Sequence, residues 1–207
     1  MNRINQLNVK LFADGADLDS MLALYKRPYI RGFTTNPTLM KKAGINNYEK
    51  FAKQVIEAIP DRPVSFEVFA DELSDMSAQA KVIASWGSNV NVKIPVTNTK
   101  GIFTGPIIRE LSATGVKLNI TAVFTLKQVR LIAENLFLDT PAIISVFAGR
   151  IAGPYRQYSR PGAARDPSAD RRTWYRRPGV CAGNPAVRCA VRRSGGRTGR
   201  WGLASGQ

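Results

Sequence analysis

The sequence contains no histidine among its 207 residues. That absence excludes serine or cysteine nucleophiles activated by histidine, and every metal site that needs imidazole. Acid and base work must then fall to carboxylates, lysine or water. Cysteine is almost as scarce: Cys181 and Cys189 lie at a spacing unlike the paired thiols of zinc sites, and two residues make no disulfide framework. No apolar run approaches the roughly 18 residues of a membrane span, and the opening Met-Asn-Arg-Ile-Asn-Gln has no apolar leader core. The expectation is a cytoplasmic chain with no membrane partner.

Charge of one sign is also scarce, but only in one part of the chain. Residues 1–153 hold 18 Lys+Arg against 13 Asp+Glu, a net of +5, whereas the remaining 54 hold 12 Arg and 2 Asp, a net of +10; together they give the formal +15. Residues 154–207 contain no Lys, Glu, Ile, Phe or Met, and offer only Val180, Val187, Val191 and Leu203 as aliphatic core formers beyond alanine. So few apolar groups do not offset the entropy of ordering, and no strand or helix stripe can be written there. Two regions are therefore expected, a folded 1–152 and a disordered Arg/Gly/Pro-rich 153–207, whose composition fits out-of-frame translation of a GC-rich gene. The rival reading is a basic arm: Arg171-Arg172, Arg176-Arg177 and Arg192-Arg193, with Trp174, Tyr175 and Trp201 nearby, would meet phosphates and stack on bases of a nucleic acid.

What is present in residues 1–152 is alternation of two periods. Short β-branched or apolar runs close near residues 14, 36, 67, 93, 121 and 147, and between them lie stretches with helical spacing, such as Leu18, Met21, Leu22 and Tyr25, or Phe51, Val55 and Ile59. A repeat of this kind predicts βα units and a parallel sheet. Six units amount to an incomplete (β/α)8 barrel of the TIM type, for which about 200 residues is the lower end of the usual length. Asp14, Asn36, Glu67, Lys93, Thr121 and Ser145 fall near the C-terminal ends of successive predicted strands, where such a barrel builds its active site.

Lys93 sits in Asn-Val-Asn-Val-Lys-Ile-Pro, residues 89–95, and shares a strand face with Asn91 and Pro95. An ammonium in an apolar site has its charged form disfavoured, which releases a neutral amine able to attack carbonyls. The plain alternative is a strand-end lysine whose head reaches water. Six polar residues in register are hard to explain as turn and cap residues, and they favour the nucleophile.

The motifs Gly32-Phe-Thr-Thr-Asn-Pro-Thr-Leu-Met40, Val90-Asn-Val-Lys-Ile-Pro-Val-Thr97 and Lys117-Leu-Asn-Ile-Thr-Ala122 resemble the transaldolase family, particularly its shorter bacterial members, over residues 8–152. The resemblance implies a (β/α)8 barrel that moves a dihydroxyacetone unit between sugar phosphates through a lysine Schiff base, with no metal or organic cofactor. It makes Lys93 the Schiff-base residue, gives Glu67 and Thr121 the catalytic water, and makes Asp14 the acid/base for carbon-carbon cleavage. It has Asn36, Asn119 and Ser145 orient substrate hydroxyls, places Phe147 at the site, and has Arg150 grip the phosphate, as a planar guanidinium suits. Fructose-6-phosphate aldolases resemble the chain too, but tend to carry glutamine at the position of Glu67 and tyrosine at that of Phe147. An inactive remnant is the third reading. Phe33 is bulkier than the residue usual before Thr-Thr-Asn-Pro, and Val146 replaces a usual proline. If intact, such a barrel could form a homo-oligomer; with six units it is expected to leave open edges and to lose much of its activity.

Overall fold

In the computed structural model of the chain, the described residues are 9–151 and 187–191. Strands and helices alternate through the first segment: β1 (Leu11–Asp14), α1 (Leu18–Tyr25), β2 (Ile30–Thr34), α2 (Pro37–Lys42), α3 (Tyr48–Ala58), β3 (Val64–Glu67), α4 (Leu73–Ala84), β4 (Val90–Pro95), α5 (Gly105–Ala113), β5 (Leu118–Val123), α6 (Leu126–Asn135) and β6 (Ala142–Val146). A further strand, β7 (Val187–Val191), follows. All pairings are parallel and the sheet order is β1-β2-β3-β4-β5-β6-β7. The architecture is thus an incompletely wound parallel β/α barrel, as the two periods predicted.

Local chemistry explains where the helices begin. Asp17, Asn36 and Asn47 each accept a backbone N–H three residues on, from Ser20, Leu39 and Lys50, all at 2.9 Å. Pro37 follows Asn36 at the first helical position, where its missing N–H costs nothing. Thr125 and Gln128 form a reciprocal capping box at α6.

Burial then sorts the strand residues into two faces. Val64, Phe66, Val92, Ile94, Leu118, Ile120 and Ile144 are fully buried in one cluster with Met76, Ile83, Ile108, Leu111 and Ile132 from the helices. Phe33, large for its position, is also fully buried there. The opposite face carries the polar residues. Among the described residues, no helix is long and apolar enough to cross a membrane.

One finding corrects the sequence reading. Residues 153–207 were expected to hold no strand, yet Val187–Val191 pairs along its whole length with β6, from Ala142↔Val187 to Val146↔Val191. Backbone pairing makes little demand on side chains, and this five-residue run begins and ends on valine. Residues 152–186 and 192–207, which carry the rest of the expectation, lie outside the described residues. β5 is interrupted near its end. Ile120 pairs with Ile144 and Val123 with Val146, so Thr121 and Ala122 together oppose the single residue Ser145. This is a β-bulge, and Ala122 takes the left-handed conformation with φ of 58°.

An L-residue in that conformation costs about 1–2 kcal/mol, while glycine does not. Ala122→Gly is therefore expected to be neutral or to stabilise by up to about 1 kcal/mol, after the extra unfolded-state freedom of glycine is deducted. Ala122→Val should destabilise by about 1 kcal/mol or more, because a β-branched side chain resists positive φ still further. Denaturant midpoints of the two variants check both signs.

Candidate active site

The strand register assembles the polar face. Asp14 pairs with Thr34, Thr34 with Ser65 and Ser65 with Asn91; two residues further along, Glu67 pairs with Lys93 and Lys93 with Asn119, and then Pro95 with Thr121. Side chains two apart on a strand share a face, so these rows lie one above the other.

Lys93 is the centre of the upper row. It is 3% exposed, and its Nζ donates to the Thr35 carbonyl at 2.7 Å and lies 3.3 Å from Glu67 Oε2. The apolar surroundings expected for this amine are not what the structure has. Its nearest neighbours are a carboxylate and a carbonyl, because parallel register sets Glu67 directly beside it and the end of β2 turns a carbonyl toward it. Burial penalises an ammonium, whereas these two neighbours stabilise one. Lys93 does not reach water, so the plain alternative of a solvated strand-end lysine does not hold.

Across these rows runs a buried chain of hydrogen bonds. Ser145 Oγ donates to Asn119 Oδ1 at 2.7 Å, and Asn119 Nδ2 donates to Ser65 Oγ at 3.0 Å. Asn119 and Ser145, expected to meet substrate, are thus bonded to each other. Ser65 was not singled out from the sequence, although it shares a face with Glu67 and that periodicity was its available signal. Thr34 is a second such residue: its Oγ1 donates to Asp14 Oδ1 at 2.7 Å. Tyr48 is a third, and no strand periodicity could have marked it, since it reaches the site from α3. Its hydroxyl donates to the Glu67 main-chain carbonyl at 2.9 Å. Burial raises the pKa of that hydroxyl above its ordinary value, with the Glu67 charge adding to the shift, so it remains a donor throughout the neutral range.

The other expected site residues stand as follows. Asn36 uses Oδ1 to cap α2, a bond that does not engage its amide nitrogen. It follows Thr35, whose carbonyl Lys93 holds. Thr121 is 3% exposed at the bulge. Phe147 lies one residue past β6, and the Arg150 guanidinium carbon sits 4.9 Å from the centre of its ring. Lys93, Glu67, Asn119 and Ser145 are therefore brought into one cluster by register and contact, while Asp14, with Thr34, occupies the lower row. A buried lysine against a carboxylate, at the C-terminal end of a central parallel strand, defines a lysine-centred β/α-barrel site of the kind that suits carbonyl chemistry.

Comparison with known proteins gives the family. Residues 11–173 match the model of a family described as Transaldolase/Fructose-6-phosphate aldolase, a match that runs beyond residue 152, where the motif resemblance stops. The chain belongs to this family. It is 37% identical over 143 residues to a protein named "Probable transaldolase" from Dehalococcoides mccartyi, covering 69% of this chain and 62% of that one. With another so named from Streptococcus equi subsp. zooepidemicus it shares 35% identity over 155 residues, covering 73% and 68%. With "Probable transaldolase 2" from Listeria monocytogenes it shares 34% over 143 residues, covering 69% and 61%. The chain thus spans between 61% and 68% of the length of these relatives.

Removing Asn119 would strip partners from two buried hydroxyls at once. Asn119→Ala is expected to lower stability by about 2–3 kcal/mol, read as a shift in denaturant midpoint. Tyr48→Phe removes one neutral hydrogen bond while keeping the ring and should cost about 1 kcal/mol. An unchanged midpoint in Tyr48→Phe would mean that the Glu67 carbonyl finds another partner.

Proposed function

We propose that this chain carries transaldolase chemistry, the transfer of a dihydroxyacetone unit from a ketose phosphate to an aldose phosphate through a Schiff base on Lys93. The observation that carries the reading is the buried Lys93 amine, 3.3 Å from a carboxylate that can take its proton and so release the nucleophile. The amine adds to the C2 carbonyl of the ketose; loss of water from the carbinolamine leaves an iminium. Asp14 then takes the proton of the C4 hydroxyl as the C3–C4 bond breaks, which releases the aldose phosphate and leaves an enamine on Lys93. The enamine attacks the aldehyde carbon of the acceptor, and the aldehyde oxygen is protonated. Water, held by Glu67 and Thr121, adds to the new iminium and frees the product. Every bond broken is balanced by one formed, and no oxidant, metal or organic cofactor enters.

Asn36, Asn119 and Ser145 are assigned to the substrate hydroxyls, and Arg150 to the phosphate. The Ser65–Asn119–Ser145 chain supports this by fixing the Asn119 amide in one orientation, since its oxygen and nitrogen each have an assigned partner. Glu67 and Phe147, in place of glutamine and tyrosine, favour transfer over the simple aldol cleavage of the other family branch. We further propose that turnover is low, because among the described residues beyond 151 only the strand Val187–Val191 joins the sheet, without the helices that would accompany the last units of an eight-unit barrel.

Incubation of the full chain with fructose 6-phosphate and borohydride, followed by peptide mass mapping, should place the reduced adduct on Lys93 alone among the eleven lysines. An adduct on Lys100 or Lys117 instead, or none at any concentration, sinks the reading. Arg150→Ala should raise the concentration of fructose 6-phosphate needed for half-maximal trapping by roughly tenfold, the worth of a charge-assisted contact, while sparing dihydroxyacetone. Equal losses on both would make Arg150 structural. Transfer from fructose 6-phosphate to erythrose 4-phosphate at the rate of a full-length relative would refute the proposed impairment.

A further inference from the structure

The bulge in β5 has an effect beyond Thr121. Ile144 and Val146, two residues apart, share a face of β6, and their partners in β5 are Ile120 and Val123, three residues apart. The extra residue therefore returns Val123 to the helix-covered side, where it is fully buried like Ile120. Phe124, next in sequence, is turned to the side of Thr121. Without the bulge it would face the helices.

Phe124 is held there from two directions. Its backbone N–H donates to Gln128 Oε1 at 2.9 Å, through the same side chain that completes the α6 capping box. Its ring meets that of Phe147 edge to face, with centroids 5.6 Å apart and planes at 79°. Phe147 is itself tied to the bulge, since its N–H donates to the Val123 carbonyl at 2.9 Å. The Arg150 guanidinium carbon then lies 4.9 Å from the Phe147 ring centre. Three side chains from two strand ends thus form one stack that ends in a cation, and Phe124 is 37% exposed at its base.

We propose that Phe124 is a positioning residue for anion recognition: by fixing the plane of the Phe147 ring, it fixes where the Arg150 guanidinium is presented, and so favours phosphorylated over unphosphorylated ligands. The edge-to-face contact with Phe124 restrains the Phe147 ring against which the cation sits, and a long arginine side chain otherwise samples many rotamers. The proposal rests on the reading that Arg150 meets the substrate phosphate. Phe124 itself touches no reacting atom.

The test uses the full chain with Phe124→Ala, Phe124→Leu and Phe124→Tyr, alongside Arg150→Ala. Binding of inorganic phosphate is measured by calorimetry, half-maximal borohydride trapping is measured with fructose 6-phosphate and with dihydroxyacetone, and a melting curve is recorded for each. Phe124→Ala and Phe124→Leu should weaken phosphate and fructose 6-phosphate by roughly threefold to tenfold, the scale of one aromatic and one cation–π contact. Dihydroxyacetone should be unaffected, and Phe124→Tyr, which keeps the ring, should behave as the parent. Equal weakening of both ketoses, or failure of Phe124→Tyr to retain phosphate affinity, would make Phe124 a packing residue and overturn the inference. Parental phosphate binding in Phe124→Ala with a tenfold loss in Arg150→Ala would overturn it while leaving the Arg150 assignment intact. If phosphate binds the parent chain and Arg150→Ala alike, the assignment of Arg150 fails first and the inference falls with it. Absence of a Lys93 adduct with phosphate binding still dependent on Phe124 would refute the Schiff-base reading alone.

Discussion

The contact between Lys93, Glu67 and the Thr35 carbonyl is the constraint to which the rest of the inner face answers. A buried ammonium is expensive, and it survives only where a carboxylate and further acceptors offset its lost hydration. Here the acceptors come from the residue that follows β2 and from β3, and those two strands flank each other in the sheet. Their relative register is therefore fixed by a charge as well as by the ladder. A slip of one residue would turn Glu67 to the helix side and leave the lysine uncompensated. Lys93 is for this reason a structural residue before it is a chemical one. A substitution that removes its amine also leaves Glu67 and the end of β2 without a partner, and an inactive Lys93 variant says nothing about chemistry until its fold has been checked.

Support for that contact comes from outside the row. Tyr48 holds the Glu67 main chain from α3, within an aromatic cluster that includes Phe66, Phe69 and Trp86. The Ser65–Asn119–Ser145 chain runs across the rows and links β3, β5 and β6. Gly32 serves the same end on the other side: a Cβ there would lie 2.3 Å from the Phe12 ring, so only glycine lets β1 and β2 pair with that ring across them. The inner face thus carries the polar partners, while the cluster on the outer face supplies most of the hydrophobic stabilisation.

Much of this was readable from residues alone, for identifiable reasons. Strand ends near 14, 67, 93 and 147 follow from β-branched runs closed by Gly, Pro or a change of period, and the helix starts follow from Asp17, Asn36-Pro37 and Asn47. Register could be inferred because side-chain period is fixed at two, which is why Glu67 and Lys93 were both assigned to the site. The bulge was not readable. Thr121-Ala122-Val123 has no glycine to mark a positive φ, and the neighbouring strands impose the conformation against local preference. Nor could Tyr48 be found, because its role depends on how α3 packs over the end of β3. Ser145 was placed at the site by position and Asn119 by the family resemblance, but their bond to each other is a tertiary fact that no single strand encodes.

β7 was missed for a different reason. Expecting no strand beyond residue 152 assumed that strands need aliphatic side chains, which holds for a strand that must bury two faces and fails for one recruited by its backbone. The outer edge of β6 offers a row of N–H and C=O groups whatever sequence arrives, and Val187–Val191 meets it residue for residue. Such an edge selects for availability. Because 187–191 belongs to the same chain, its connection gives it an effective concentration at the edge, and an equivalent segment from a second molecule would compete as the protein concentration approaches that value. Whether the sheet is capped from within or by exchange between molecules is then a matter of mass action, and dilution favours the self-contained form.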